Sequence, residues 1–472
     1  MTSEILIRGG LLVTDQSRRC GDLLCRDGVI AAIGQELDVS PAASVIDASG
    51  CFVVPGGIDP HTHMELPMMG TVVADDFASG TAAAAAGGTT TILDFVGPDR
   101  GQSPLDALAS WRAKAAKAVI DYGFHMTVSW WGDGFAEAMP ALVGQGVSSF
   151  KFFLAYKGGL MLSDEAILQA FERCRALGAL PQMHAENGEI VAYLQRRLKA
   201  QGVTGPKGHA ASRPPMCEGE ATERAIAMAE AVGVPLYVVH VSAAEAAQAI
   251  KRGRQRGVRV FGETLPGFLG IDDRVYDDPD FDIAAGHVMS PPYRPAGHQE
   301  ALWAAIADGT LSVTGTDHCC FTRAQKRLGL DDYTRIPNGC GGVGDRLNIL
   351  WHLGVAAGCL SPESFVALTS GNAARLFNLW PRKGSLAIGA DADIAIIDPA
   401  RSITISARTQ HQNTDFSVWE GRRLAGSVVH TIAGGRHLWA DGDLRTAPGA
   451  GRYLPRQPFG PAFVTPAHAT GP

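Results

Sequence analysis

GGIDPHTHMELP, residues 56–67, closes an apolar run and then sets His61 and His63 one residue apart. In an extended strand, residues i and i+2 point to the same face, so both imidazoles converge on one point. A metal would explain the pair, and so would chance, because a single HxH is cheap to produce. The other ligands must come from elsewhere in the chain, and where they fall decides the fold.

Working outward, "CFVVPGGID" (51–59) is the first of eight apolar, strand-like runs. The others are "GTTTILDFV" (88–96), "YGFHMTVS" (122–129), "VSSFKFFLA" (147–155), "LPQMHA" (180–185), "PLYVVHVS" (235–242), "VRVFGET" (258–264) and "LSVTGTD" (311–317). Helical patterns lie between them, the signature of βα units and a parallel sheet. Ser103 and Pro104 open one helix as a cap followed by proline at the first helical position. Ser242 and Glu245 in "SAAE" form a capping-box pattern after the sixth run.

Eight strands with interleaved helices predict an α/β fold, a (β/α)8 TIM-like barrel. A doubly wound open sheet is disfavoured because no GxGxxG or Walker pattern follows any strand. Short strand patterns over residues 1–54 and 385–448 pair in this reading into a small β-sandwich domain. The barrel occupies 55–384, and 449–472 forms a tail rich in Pro and Gly. That tail is expected either to lie across a neighbouring subunit or to be disordered.

In a barrel, chemistry belongs at the C-terminal ends of the strands. His61 and His63 end the first run, Lys151 lies in the fourth, His184 ends the fifth, His240 the sixth and Asp317 the eighth. Each has a bland reading: satisfied core histidines, a capping aspartate, a snorkelling lysine. All six at the expected strand ends make the bland reading improbable. Imidazole and carboxylate suit zinc and other first-row metals. Lysine fits only as a carbamate made with CO2, which requires a lysine desolvated enough to lose its proton.

Bulk properties narrow the function further. The chain has 472 residues, 46% hydrophobic and 19% charged, which is globular composition. A net charge of −7 without a basic run argues against nucleic acid and anionic membrane as partners. The stretch "FASGTAAAAAGGTTTIL" (77–93) is too weakly apolar for a membrane span. The N-terminus carries no signal-peptide pattern. Nine cysteines without framework spacing suit a reduced compartment, so a cytoplasmic location is expected.

"PGGIDPHTHMELP", "DDFASGTAAAAAGGTTTILDF", "SSFKFFLAYK", "HAENGE", "LYVVHVSAAEA", "MSPPYRP", "GTDHCCF", "RIPNG" and "GADADIAIIDP" together resemble the dihydropyrimidinase/hydantoinase family of cyclic amidohydrolases. The resemblance runs from about Ile5 to Leu454. It implies two zinc ions per subunit. His61, His63, Lys151 and Asp317 would hold one; His184, His240 and a bridging N6-carboxylysine at Lys151 would hold the other. It also implies that Tyr156 stabilises an oxyanion, that Ser290 and Asn338 bind a cyclic diamide largely through main-chain groups, and that the chain forms a homotetramer. Asp317 would act as general base and then general acid.

Dihydroorotase-like relatives carry an arginine two residues after the HxH. Here Glu65 stands there, and it is expected to repel a carboxylated ring. Leu66, Met68, Met69 and Phe153 read either as core or as a pocket for apolar substituents. The second reading favours dihydropyrimidines and 5-substituted hydantoins over dihydroorotate or allantoin. A non-catalytic scaffold on the same fold is the rival of another class, and it has no physical need for all six ligands. Cys319 and Cys320 are weaker zinc candidates. His125 is expected to be packed or hydrogen-bonded, and Asp59 to orient a ligand histidine or cap a turn.

Overall fold

The computed structural model describes residues 4–464. Eight parallel strands form a barrel: β1 (Gly57–Thr62), β2 (Thr89–Val96), β3 (Asp121–Thr127), β4 (Ser149–Phe153), β5 (Leu180–His184), β6 (Leu236–Val238), β7 (Val260–Thr264) and β8 (Leu311–Thr314). Each expected apolar run overlaps one of them, although the first run is split: Phe52–Pro55 is a strand of the other sheet and the barrel strand begins at Gly57. Strands hydrogen-bond in chain order from β1 to β8. A parallel bridge between Thr62 and His318 joins the last strand to the first.

Asp59 stitches that seam. Its carboxylate accepts from the Thr316 backbone N–H at 3.1 Å and the Thr316 hydroxyl at 2.6 Å, and from the His61 N–H at 3.2 Å. It touches no imidazole ring nitrogen among these contacts. Of the two expectations, the bond from the His61 N–H is the turn-capping one; the structure shows no bond to a ligand ring, and Asp59 also closes the barrel.

In the barrel interior Ile58, Leu93, Leu180, Tyr237, Phe261 and Val313 form one buried apolar cluster with Phe377 and Leu454. Strand alternation puts Lys151 and Phe153 of β4, and Gln182 and His184 of β5, on the same inward face as these residues. The N- and C-terminal strands form a separate mixed sheet of nine strands with its own core, including Ile7, Leu23, Val53, Ile394 and Ile432. Strand Phe52–Pro55 joins its two halves, pairing parallel with Glu4–Val13 and antiparallel with Ile394–Thr404.

Helix Pro104–Ala115 starts as expected: the Ser103 hydroxyl accepts from the Asp106 N–H at 3.3 Å. The capping box expected at Ser242 and Glu245 does not form. Helix Ala244–Gln255 begins after Ala243, and the Ser242 hydroxyl donates instead to Glu218 at 2.5 Å. Glu218 also accepts from the N–H groups of Ser242 and Ala243 and pairs with Arg294 at 2.7 Å. A carboxylate from another helix has taken the position at the helix N-terminus that negative charge favours.

The stretch 449–464 is not a free tail. Tyr122 donates its N–H to Arg452, Leu454 donates to Tyr122, and Arg456 donates to Gly146. The Arg456 side chain is buried beneath β3 and β4, with hydrogen bonds to the Phe124 carbonyl and to Ser149 Oγ. The segment packs on its own chain's barrel because Leu454 and Arg456 complete that floor. Residues 465–472 lie outside the described residues.

Candidate metal centre

The structure brings all six candidate ligands to one mouth of the barrel. His61 Nε2 and His63 Nε2 lie 3.1 and 3.0 Å from Asp317 Oδ1. Lys151 Nζ lies 2.8 Å from His61 Nε2. The rings of His61 and His240 are 5.4 Å apart between centroids, and those of His184 and His240 4.6 Å. Every one of these side chains is buried. Three of them, His61, His240 and Asp317, offer donor atoms that all lie within 4.8 Å of one another.

His240 and Asp317 leave their strands with φ of 40° and 49°, and Tyr156 follows β4 with φ of 63°. Left-handed backbone at non-glycine residues costs free energy and clusters where a side chain must be aimed. Here it turns each side chain in toward the mouth.

The donor set fits a metal. Burial pushes His63 down to about 4 and His240 well below its ordinary range, so both imidazoles are neutral, the form that binds a cation. The Nδ1 atoms of His63 and His240 have no hydrogen-bond partner although buried. An unsatisfied buried polar group costs about 1–3 kcal/mol. Burial also brings the Lys151 ammonium down to about 8, within reach of the neutral amine.

Sequence reasoning missed the groups that hold these ligands. Glu263, at the end of β7, lies 2.6 Å from His61 Nδ1, and accepts from the Tyr237 hydroxyl at 2.9 Å and the His240 N–H at 3.0 Å. It had the same signal as the ligands, a charged residue ending a strand run. Glu186 lies 2.8 Å from His184 Nε2 and 2.8 Å from Arg213 Nη1. That leaves Nδ1 as the His184 nitrogen free to bind a metal. Burial pushes the Glu186 carboxyl up, but Arg213, His184 and Arg294 together outweigh it and hold the group well below the carboxylate range.

A cavity of about 650 Å³ opens over this centre, and Leu66, Met69, Phe153, Tyr156, Ser290 and Asn338 line it. Asn338 Nδ2 donates to Ser290 Oγ at 3.1 Å. Burial pushes the Tyr156 phenol up to about 12, so its hydroxyl keeps its proton.

The comparisons with known proteins decide the family. The amidohydrolase family model matches residues 52–438. Dihydropyrimidinase of Arabidopsis thaliana is 46% identical over 98% of this chain and 87% of its own. D-hydantoinase of Geobacillus stearothermophilus is 44% identical over 96% of this chain and 97% of its own. The crystal structure of dihydropyrimidinase from Brevibacillus agri superposes with a TM-score of 0.95 at 44% identity, covering 97% of this chain and 99% of that one.

The chain belongs to the dihydropyrimidinase/hydantoinase family of amidohydrolases.

Within that family, contacts bear on three expectations. Glu65 is turned away from the cavity; its carboxylate pairs with Lys117 Nζ at 2.7 Å and accepts from the Phe77 N–H at 3.3 Å. It therefore does not act as a charge facing a carboxylated ring. Cys320 Sγ donates to Asp75 Oδ2 at 3.1 Å, away from the centre, while Cys319 lines the cavity with its thiol pushed up by burial. His125 is packed inside the barrel, with Nε2 on the Pro60 carbonyl at 3.0 Å and Nδ1 accepting from Gln182 at 2.7 Å. No helix among the described residues is long and apolar enough to cross a membrane.

Proposed function

We propose that this protein hydrolyses cyclic amides, opening 5,6-dihydropyrimidines to N-carbamoyl-β-amino acids and 5-substituted hydantoins to N-carbamoyl amino acids. The convergence of four histidines, Lys151 and Asp317 beneath an apolar-lined cavity carries this reading. The donor set fits the family's two zinc ions: His61, His63 and Asp317 would hold one, His184 and His240 the other, and Lys151, as a carbamate, would contribute to the centre. Bound there, zinc would supply a nucleophilic hydroxide near neutral pH and Lewis-acid polarisation of the ring carbonyl.

The chain's own residues do the rest. Asp317 stays ionised: burial pushes its carboxyl up, but the His61 and His63 imidazoles outweigh that and hold it well below the ordinary range. It accepts the proton of the attacking nucleophile and delivers it to the leaving nitrogen, which departs poorly unless protonated. Tyr156, a protonated phenol beside His184 at 5.2 Å between ring centroids, donates to the oxygen where charge develops. Ser290 and Asn338 hold the ring's amide groups. Leu66, Met69 and Phe153 take the ring substituent. The resemblance further supports a cytoplasmic homotetramer.

The test is a metal count with ring-opening assays on dihydrouracil, a 5-aryl hydantoin, allantoin and dihydroorotate, for wild type and Lys151→Ala. Near two zinc ions per chain are expected, with the first two rings opened and both properties lost in the variant. A folded protein that binds no metal and opens no ring would leave the scaffold reading.

A further inference from the structure

Lys326 lies on the connection that follows Asp317 and is wholly buried. Among the described residues no carboxylate pairs with it. Its ammonium instead donates to three backbone carbonyls: Val288 at 2.8 Å, Pro337 at 2.7 Å and Gly339 at 2.7 Å. An ammonium has three donors and no acceptor, so the three carbonyls use its full capacity. A neutral amine would have only two N–H groups for three acceptors. Burying such a charge without an acid is expensive, and the cavity explains why this arrangement is worth having.

Those three carbonyls flank Ser290 on one segment and Asn338 on the other. Val288 also accepts from the Gly339 N–H at 3.0 Å, and Asn338 reaches Ser290 at 3.1 Å. On its other side the second segment is pressed against the connection that follows Asp317. Gly339 has φ of 148°, and a Cβ there would come within 2.3 Å of the Cys319 carbonyl oxygen. The Cys319 N–H donates to Cys340 at 3.0 Å. The two segments and the Asp317 connection are thus one braced unit, and Lys326 ties the two segments together within it.

We propose that Lys326 is a positioning residue for the cyclic substrate, its ammonium fixing the Ser290 and Asn338 segments at a set distance from Asp317. The inference rests on the cyclic amide hydrolase reading above. Without the three bonds only the Gly339 N–H and Asn338 ties hold the two segments, their spacing loosens, and binding of the ring's amide groups weakens while the metal ligands stay in place.

Lys326→Met keeps length and removes charge and donors; Lys326→Gln keeps two donors. Steady-state kinetics on dihydrouracil, zinc content and thermal unfolding are measured for both. We expect Lys326→Met to raise KM by about tenfold or more with kcat changed less than about threefold, zinc content unaltered, and Lys326→Gln to fall between. Combined with Asn338→Ala, which removes the side-chain tie to Ser290 between the same two segments, Lys326→Met should change KM by a factor clearly different from the product of the two single effects, because both act on one joint. A role in stability alone would lower the unfolding midpoint and multiply independently with Asn338→Ala.

An unchanged KM in a folded, zinc-loaded variant, or independent multiplication in the double variant, overturns the proposal. So does failure of both single variants to fold, which would assign Lys326 to stability. A wild type inactive on every ring removes the hydrolase reading itself. An active wild type with an unaffected Lys326→Met removes only this inference.

Discussion

His61 and His63 are neighbours in sequence but are held differently. His61 has a carboxylate behind it, Glu263 at 2.6 Å from Nδ1, which fixes the ring and leaves Nε2 facing Asp317. Among the described residues, His63 Nδ1 has no hydrogen-bond partner. Replacing Glu263 by Gln keeps its volume and removes the charge. Zinc affinity should fall about 10–100-fold, the usual effect of losing a group that orients a ligand, as read by titrating apoprotein in a zinc buffer. Tyr156→Phe removes one hydroxyl from the cavity and nothing from the ligand set. We expect kcat to drop about 10²–10³-fold with zinc content unchanged. Glu65 carries the opposite lesson: its position after the HxH suggested a cavity charge, but the Lys117 ammonium draws it outward.

At the scale of the element, apolar runs alternating with helical patterns made the eight barrel strands legible, and a period of two the shared face of His61 and His63. A period of two and a charged terminal residue are local properties. The start of helix Ala244–Gln255 was misread because its cap is a tertiary contact from Glu218, not the adjacent Ser242. The C-terminal segment was equally illegible, since its Pro and Gly content says nothing of what it meets. Deleting residues 449–472 removes the Leu454 side chain from the barrel interior, a burial worth about 1.5–3 kcal/mol. It also strips Arg456 from Ser149. The deletion should lower the thermal midpoint by several degrees in calorimetry.

For the molecule as a whole, one buried cation joins the parts. Lys383 Nζ lies 2.7 Å from Asp121 at the start of β3, and 2.9 and 2.5 Å from Asp391 and Asp393 ahead of strand Ile394–Thr404. Arg452 from the C-terminal segment adds bonds to Asp121 and Asp391 at 2.7 and 2.8 Å. Burial pushes the Asp121 carboxyl up, but Lys383 and Arg452 outweigh it and hold it at about 2. An unfolded aspartate titrates near about 3.9, so between those values the unfolded chain binds more protons. The contribution is therefore full above about pH 4 and is lost as pH falls toward 2. Asp121→Asn should lower the thermal midpoint at pH 6, and the gap from wild type should close as the pH approaches 2.

The sequence by itself determined the barrel, the order of its strands and the six side chains at their ends. Each of those follows from short-range pattern: alternation along a strand, and a polar residue where the strand meets its loop. Only the tertiary structure decided which groups hold those side chains. Glu263 reaches His61 across 202 positions, and Lys326 reaches Val288 across 38. Such partners are chosen by barrel closure and loop path, which bring together residues whose local sequence carries no record of one another.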